Sequence, residues 1–517
     1  MTNINNSNNL FSKEFWTVTS GDLKQKREKL ASPVFKKNPN NVKKIVIDPS
    51  DKYQDWVGAG AALTDSTASL IWKQTSKQRS TLLHELFDPK QGGFSTVRVS
   101  IGACDFSSQG FYTYDDIPYG HHDVNLEKFS IGKGEPGAKD ATKDLKYVVP
   151  VLQEILQINP AVKVIASPWS APAWMKNTGH LLNGGHLRFD EYTGNGYDPM
   201  KDTFEGAYAR YFVKFIESYL RYGIPIYALT IQNEPSNAPA WPAMLWTLKQ
   251  QAEFGYKFLR PALNKAFPNT KLFINDDSFQ ALPNSITNDI TYEEASAFDG
   301  LAVHTYQGPY QNLFNANRAF SNWGLAMTER RCMMQDSPKD ASHIMFGIIG
   351  NWLIRNGLNM VTIWNLALDE RGLPNSSVST GRRGVVTIDH KTGKVKRSLE
   401  YYMLRNLGQD ILPGSKVIGS TNYTSNGYSG SLGSTAFLAP NGDIAAQIYN
   451  PTGKSLQAAI TINGQGDSWQ VVSVPPWGTV TVHKSNYSIN TSSPKDDEAF
   501  KLNPTPAEAA EDEAPGK

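Results

Sequence analysis

Only two cysteines, Cys104 and Cys332, occur in 517 residues, which excludes a disulfide-stapled scaffold and a zinc ribbon. Charge of one sign is lacking too: 51 Lys and Arg against 49 Asp and Glu leave a formal +2. That balance gives no electrostatic footprint for nucleic acid, and no Lys/Arg stripe supplies one locally, so none is expected as a partner. No run of about 18 apolar residues is present to span a bilayer. The first ten residues, MTNINNSNNL, hold no apolar stretch of the secretory kind. This predicts a protein that stays in the cytoplasm or leaves it by a route needing no signal peptide. There is no His-Glu-x-x-His and no cysteine pair, and His121-His122 lacks a third ligand, so no metal is expected. Aromatic residues, by contrast, are plentiful, with 12 Trp and 22 Tyr; they suit a large core or stacking against ring-shaped ligands.

Three compositional regions follow. Residues 490–517 hold seven acidic side chains and four prolines with almost no large apolar residue, the composition of a disordered tail. This acid-rich end resembles the export signals of some bacterial effectors delivered into host cells. Residues 406–489 read as antiparallel β. The runs Ser434–Leu438 and Ile444–Tyr449 flank Asn441-Gly442, a strong hairpin signal. The runs Leu456–Ile462, Trp469–Val474 and Thr479–Val482 continue the pattern. Trp16–Thr19 and Lys43–Asp48, within residues 1–54, look like further strands. The economical expectation is one side β-sandwich built from both chain ends.

Residues 55–405 repeat a strand-then-helix rhythm. Eight short apolar runs stand out: Trp56–Leu63, Ser95–Gly102, Lys163–Ser167, Tyr227–Gln232, Lys271–Asn275, Gly300–His304, Gly324–Thr328 and Asn359–Trp364. Most are continuous, as parallel strands buried on both faces should be. Amphipathic helices are predicted over Asp144–Ile158 and Phe204–Tyr222, the second ending before Gly223. The sum is an α/β fold, a (β/α)₈ barrel with enlarged loops. A doubly wound sheet is the alternative. Gly58-Ala-Gly-Ala-Ala62 resembles its phosphate-binding turn only weakly, because the third glycine spacing is missing.

Chemistry in such barrels gathers where the strands end. Strand four runs straight into Asn233-Glu234-Pro235, and Pro235 biases Glu234 away from helical geometry. Strand seven ends in Thr328-Glu329. Strands four and seven lie nearly across the barrel mouth, so the two carboxylates can face one another. Such a pair is the usual minimum for cleaving a glycosidic bond: one ionised group attacks, and the other holds a proton for the leaving oxygen. Burial and mutual repulsion would push the two pKa values apart to allow that division of labour. The other strand ends contribute Arg98, Asp105, Trp169, His304, Tyr306, Trp364 and Asn365.

Taken in order, these motifs resemble glycoside hydrolase family 30, its glucosylceramidase (β-glucocerebrosidase) branch in particular. The likeness spans Trp16 to about Val482. Gly58-Ala-Gly-Ala-Ala-Leu-Thr-Asp65, Cys104-Asp-Phe-Ser107, Ser167-Pro-Trp-Ser-Ala-Pro-Ala-Trp174, Thr230-Ile-Gln-Asn-Glu-Pro235, His304-Thr-Tyr306, Met327-Thr-Glu329 and Trp364-Asn-Leu-Ala-Leu368 carry it. The resemblance implies that Glu234 is the acid/base and Glu329 the nucleophile. It further implies that Asn233 bonds the sugar 2-hydroxyl, that Tyr306 orients Glu329, and that Arg98, Asp105, Trp169 and Trp364 line the sugar site, with His304 and Asn365 beside them. No cofactor is implied. The substrate would be a β-glucoside, foremost a glucosphingolipid such as glucosylceramide, and a lipid surface becomes a candidate partner. An endo-β-1,6-glucanase, a β-xylosidase or a non-catalytic carbohydrate-binding barrel are the other readings. Departures are Ala59, Ala61 and Leu63 in the first motif and Arg330-Arg331 after the nucleophile, where small or apolar residues are commoner; they bear on aglycone preference.

Overall fold

The computed structural model describes residues 16–19, 26–29, 34–193, 198–375, 381–465 and 467–485. The acidic tail expected over 490–517 lies outside the described residues. Eight parallel strands close into a barrel, here β1 (Gly58–Ala62), β2 (Thr96–Ile101), β3 (Lys163–Pro168), β4 (Ile226–Thr230), β5 (Lys271–Ser278), β6 (Gly300–His304), β7 (Gly324–Glu329) and β8 (Leu358–Ile363). Each coincides with one of the eight apolar runs. The expected (β/α)₈ barrel is therefore what the chain forms, and the glycine-alanine run is simply β1. Small residues there serve close packing: a Cβ on Gly60 would meet the Thr96 carbonyl oxygen at 1.8 Å.

Helices form the outer ring. The helix Phe204–Arg221 is capped by Thr203, whose hydroxyl accepts from the Gly206 amide at 3.0 Å. It buries Tyr208, Tyr211, Phe212, Phe215 and Tyr219, and Gly223 follows with φ +77°, the C-terminal glycine its sequence announced. The other predicted helix starts later, at Val148 rather than Asp144. Asp144 is held instead in a 3₁₀ turn by the hydroxyls of Tyr112 and Tyr114, at 2.8 and 2.5 Å, and by that of Tyr219.

A second, ten-stranded sheet holds Trp16–Thr19 and Lys26–Lys29 at one end and Val34–Lys37 at the other, with Thr479–Lys484 paired to Trp16–Thr19. Both chain ends thus share this sheet. Ile45, Ile47, Ile448, Ile460, Val472 and Val480 build its apolar core. Lys43–Asp55 runs from it to the barrel, where Trp56 is fully buried against Phe437. Burial of that interface makes the sheet a support for the barrel rather than a tethered appendage. Among the described residues no helix is long and apolar enough to cross a membrane.

Candidate active site

The site is assembled from strand ends, and two of those strands carry an extra residue. Along β5 and β6, Asn275 pairs with Ala302 but Asp277 pairs with Val303, so Asp276 is bulged out of the ladder. Along β6 and β7, Met327 pairs with Val303 but Glu329 with His304, so Thr328 is bulged too. A bulge re-aims a side chain and breaks the in-out alternation. Asn275 and Asp276 adopt left-handed backbone angles, φ +78° and +54°, which these short polar residues tolerate better than most. Asp276 thereby points into the barrel, fully buried.

Around that carboxylate the rest is arranged. Its Oδ2 accepts from Arg98 Nη2 at 2.9 Å, Ser167 Oγ at 2.8 Å and Thr230 Oγ1 at 2.6 Å. Its Oδ1 accepts from Thr328 Oγ1 at 2.5 Å and meets His304 Nε2 at 3.1 Å. Arg98 then reaches Glu329, and His304 reaches Glu234 with Glu329 Oε1 3.9 Å from the same nitrogen. Arg98 Nη1 donates to Glu329 Oε2 at 2.6 Å, while Tyr306 Oη donates to Glu329 Oε1 at 2.7 Å. His304 Nδ1 lies 3.3 Å from Glu234 Oε1, and Asn237 Nδ2 donates to Glu234 Oε2 at 3.0 Å. Glu234 itself has φ +44°, and its amide donates to the Asp276 carbonyl at 2.9 Å. One oxygen of Glu234, one of Glu329 and a His304 nitrogen all lie within 4.8 Å of one another. The two strand-end glutamates do face each other across the mouth.

Charge states follow from these contacts. Burial favours the uncharged form of Asp276, but Arg98 and His304 beside it hold its carboxyl well below the usual range. For His304 burial works against the charge, yet Glu329, Asp276 and Glu234 outweigh it and lift the imidazole to about 10. It is therefore an imidazolium at neutral pH. Glu234 departs from the expectation for an acid. Burial raises it, but the hydrogen bond and charge of His304 pull it down further, for a net lowering. A proton on His304 Nδ1 thus sits one hydrogen bond from Glu234. Asp105 is the opposite case: burial first, then Glu329 and Glu234, push its carboxyl well up.

The remaining expected residues divide into two groups. Trp169 and Trp364 stack at 5.3 Å between centroids, and Phe106 meets Trp364 edge-on. Arg98 lies against both indoles, at 5.0 and 5.9 Å. Asn233 Oδ1 accepts from Arg98 Nη2 at 2.8 Å, which leaves its amide N–H groups for a ligand. Asn365 is fully buried beside Trp364, and among the described residues neither of its side-chain polar atoms has a partner. Sequence reasoning passed over Asp276, Ser167, Thr230, Thr328 and Asn237 as site residues. Strand five's Asn275-Asp276-Asp277 was the available signal for the first of these. Two triads carry metal-ligand atom types, Glu234/His304/Glu329 and Asp369/Glu370/His390. In the first, His304 offers hydrogens on both nitrogens rather than a lone pair. In the second, Asp369 is already taken by Arg371 and by the amides of Arg371 and Leu373. Cys104 and Cys332 are both buried and free.

A (β/α)₈ barrel whose fourth and seventh strands present opposed glutamates defines a glycoside hydrolase. The chain belongs to glycoside hydrolase family 30: residues 57–404 match its TIM-barrel domain and 414–492 its β-sandwich domain. It is 30% identical over 434 residues to an endo-1,6-β-D-glucanase of Trichoderma harzianum, covering 82% of this chain and 83% of that one. To the lysosomal acid glucosylceramidase of Mus musculus it is 26% identical over 469 residues, 86% and 82% of the two chains. A solved endo-β1,6-glucanase structure superposes with a TM-score of 0.75 at 28% identity, covering 92% of this chain and 99% of the other.

Proposed function

We propose that this enzyme is a retaining β-glucosidase whose lead substrate is glucosylceramide. The observation that carries the reading is that one carboxylate oxygen of Glu234 and one of Glu329 lie within 4.8 Å. An approach that near suits carboxyl groups about 5–5.5 Å apart, as in retaining pairs, better than the 6.5–9.5 Å that leaves room for an inverting water. Glu329, held at both oxygens by Arg98 and Tyr306, attacks C1. His304 passes its Nδ1 proton to Glu234, and Glu234 hands it to the departing oxygen. In the second half Glu234 takes a proton from water, which displaces Glu329 and restores the β configuration. Asn233 offers its amide to the 2-hydroxyl, and Asp105, with no side-chain partner among the described residues, offers its carboxyl to another hydroxyl. Trp169 and Trp364 supply the apolar wall of the −1 sugar.

β-1,6-Glucan is a second reading, favoured by the similarity to two endo-1,6-glucanases. Both substrates are β-glucosides of a primary alcohol, ceramide C1 in one and glucose C6 in the other. A primary alkoxide is a poor leaving group, so a poised proton donor matters equally for both. Hydrolysis followed by NMR in real time tests the mechanism: β-glucose should appear first, and initial α-glucose would refute retention. Glucosylceramide and pustulan, assayed side by side, decide between the substrates.

A further inference from the structure

Arg330, Arg331, Arg382 and Arg383 gather near Tyr306 and the strand of Glu329; two of them are held by oxygen acceptors, while Arg382 Nη1 meets the Met333 thioether at 2.5 Å. Arg330 Nη1 donates to the Thr305 carbonyl at 2.6 Å. Arg383 forms a two-pronged pair with Glu400 at 2.7 and 2.8 Å. The short strand Arg382–Arg383 pairs with Cys332–Met333, which carries Arg382 back beside the nucleophile's own strand. Arg331 bridges to Trp364 through its backbone and lies 4.9 Å from the Tyr306 ring centroid. Among the described residues neither Arg331 nor Arg382 has a carboxylate within ion-pair distance, and both are half-buried. Burial and then the charge of Arg331 push Arg382 down, while Tyr306, Asp105 and Glu329 act on it in the other direction. Two like charges beside a sugar site, with no carboxylate within ion-pair distance among the described residues, favour an anion there. Glu329 has no need of them, because Arg98 and Tyr306 already occupy both of its oxygens.

We propose that Arg331 and Arg382 form an oxyanion subsite beside the −1 sugar, taking a phosphate or carboxylate carried by the substrate itself. This rests on the glycosidase reading above and narrows its substrate class to β-glucosides with a negative charge next to the scissile sugar. A guanidinium suits either group, since its forked donors match both geometries.

The test measures kcat/KM on two matched pairs: β-glucosylglycerol with and without a glycerol phosphate, and gentiobiose with and without oxidation of the neighbouring sugar at C1 to an aldonic acid. The first pair represents a lipid headgroup and the second a polysaccharide. In at least one pair the charged member should be preferred by about 10-fold or more, as for a charge-assisted contact. R331Q/R382Q should bring the ratio close to one, and R331K/R382K should keep most of it. Each ratio is taken on one preparation, so a partly unfolded variant does not distort it. Ratios near one in the unaltered enzyme, or a preference that survives R331Q/R382Q, would overturn the subsite. Titration with inorganic phosphate, read by tryptophan fluorescence, needs no turnover. Saturable binding lost in R331Q/R382Q supports the subsite even if no glucoside is cleaved, whereas its absence counts against it. Failure to cleave either neutral member would instead refute the glucosidase reading.

Discussion

Asp276→Asn removes one negative charge and almost no volume from the centre of the site. Five side chains address that carboxylate, two of them the cations Arg98 and His304. An amide can accept on one atom only, so its NH₂ group must face either Arg98 or His304, donor against donor. Breaking a fully buried ion pair in this way costs about 3–5 kcal/mol. Activity should fall by more than the loss of folded protein explains. Arg98 holds Glu329 and His304 faces Glu234, and a misplacement of about 1 Å at one such group costs about 10²-fold. A kcat/KM lowered about 10²- to 10³-fold is therefore expected on an aryl β-glucoside. The informative readout is the pH profile. Asp276 is among the groups that raise His304 to about 10, so the variant's imidazole must titrate lower. The alkaline limb, where the His304 proton is lost, should move to lower pH. An unmoved limb together with stability unchanged within about 1 kcal/mol would refute the reasoning.

Glu329→Gln should cut turnover by about 10⁴-fold or more while calorimetry still detects sugar binding; ordinary activity would dismiss Glu329 as nucleophile. Because His304 is raised from about 6.5 to about 10 on folding, its stabilising contribution is whole below about pH 6.5 and fades as pH rises toward 10. Lys176, which burial lowers to about 7, acts with opposite sign over the same range. The test is therefore the stability difference between the unaltered enzyme and His304→Asn, which should shrink by up to about 5 kcal/mol between pH 6.5 and 10 in urea unfolding; a constant difference would contradict it. Gly60→Ala drives a methyl group into the Thr96 carbonyl and should lower the urea midpoint by the equivalent of about 3 kcal/mol.

Much of this architecture is legible in the chain because strand burial leaves a local trace. Val164 to Ala166 and Leu301 to Val303 are apolar on both faces, as only enclosed parallel strands need be. Glu234 and Glu329 are legible for the same reason, each standing where an apolar run stops. Asp276 is not, because its role depends on a one-residue bulge in β5, and register between strands leaves no mark in either strand alone. The start of the helix at Val148 was hidden by a tertiary contact: Tyr219 lies 75 residues from the Asp144 it binds. Asn365 shows the converse. It follows Trp364 in a telling motif, yet nothing in the chain foretells that both of its side-chain polar atoms are buried without a partner among the described residues. The lowered carboxyl of Glu234 needs the position of His304, 70 residues on.

The bulges at Asp276 and Thr328 have a consequence for how such an enzyme can change. Each shifts the phase of its strand by one position just below the rim, so the barrel's walls and its chemistry keep separate counts. The apolar layers beneath can drift by ordinary substitution without disturbing the rim. Loss of Thr328 would leave those layers packed yet swing the terminal His304–Glu329 pairing out of step, and loss of Asp276 would do the same to the Asp277–Val303 pairing. Mutational scanning should therefore find two narrow places where a deletion leaves the fold intact and silences the enzyme.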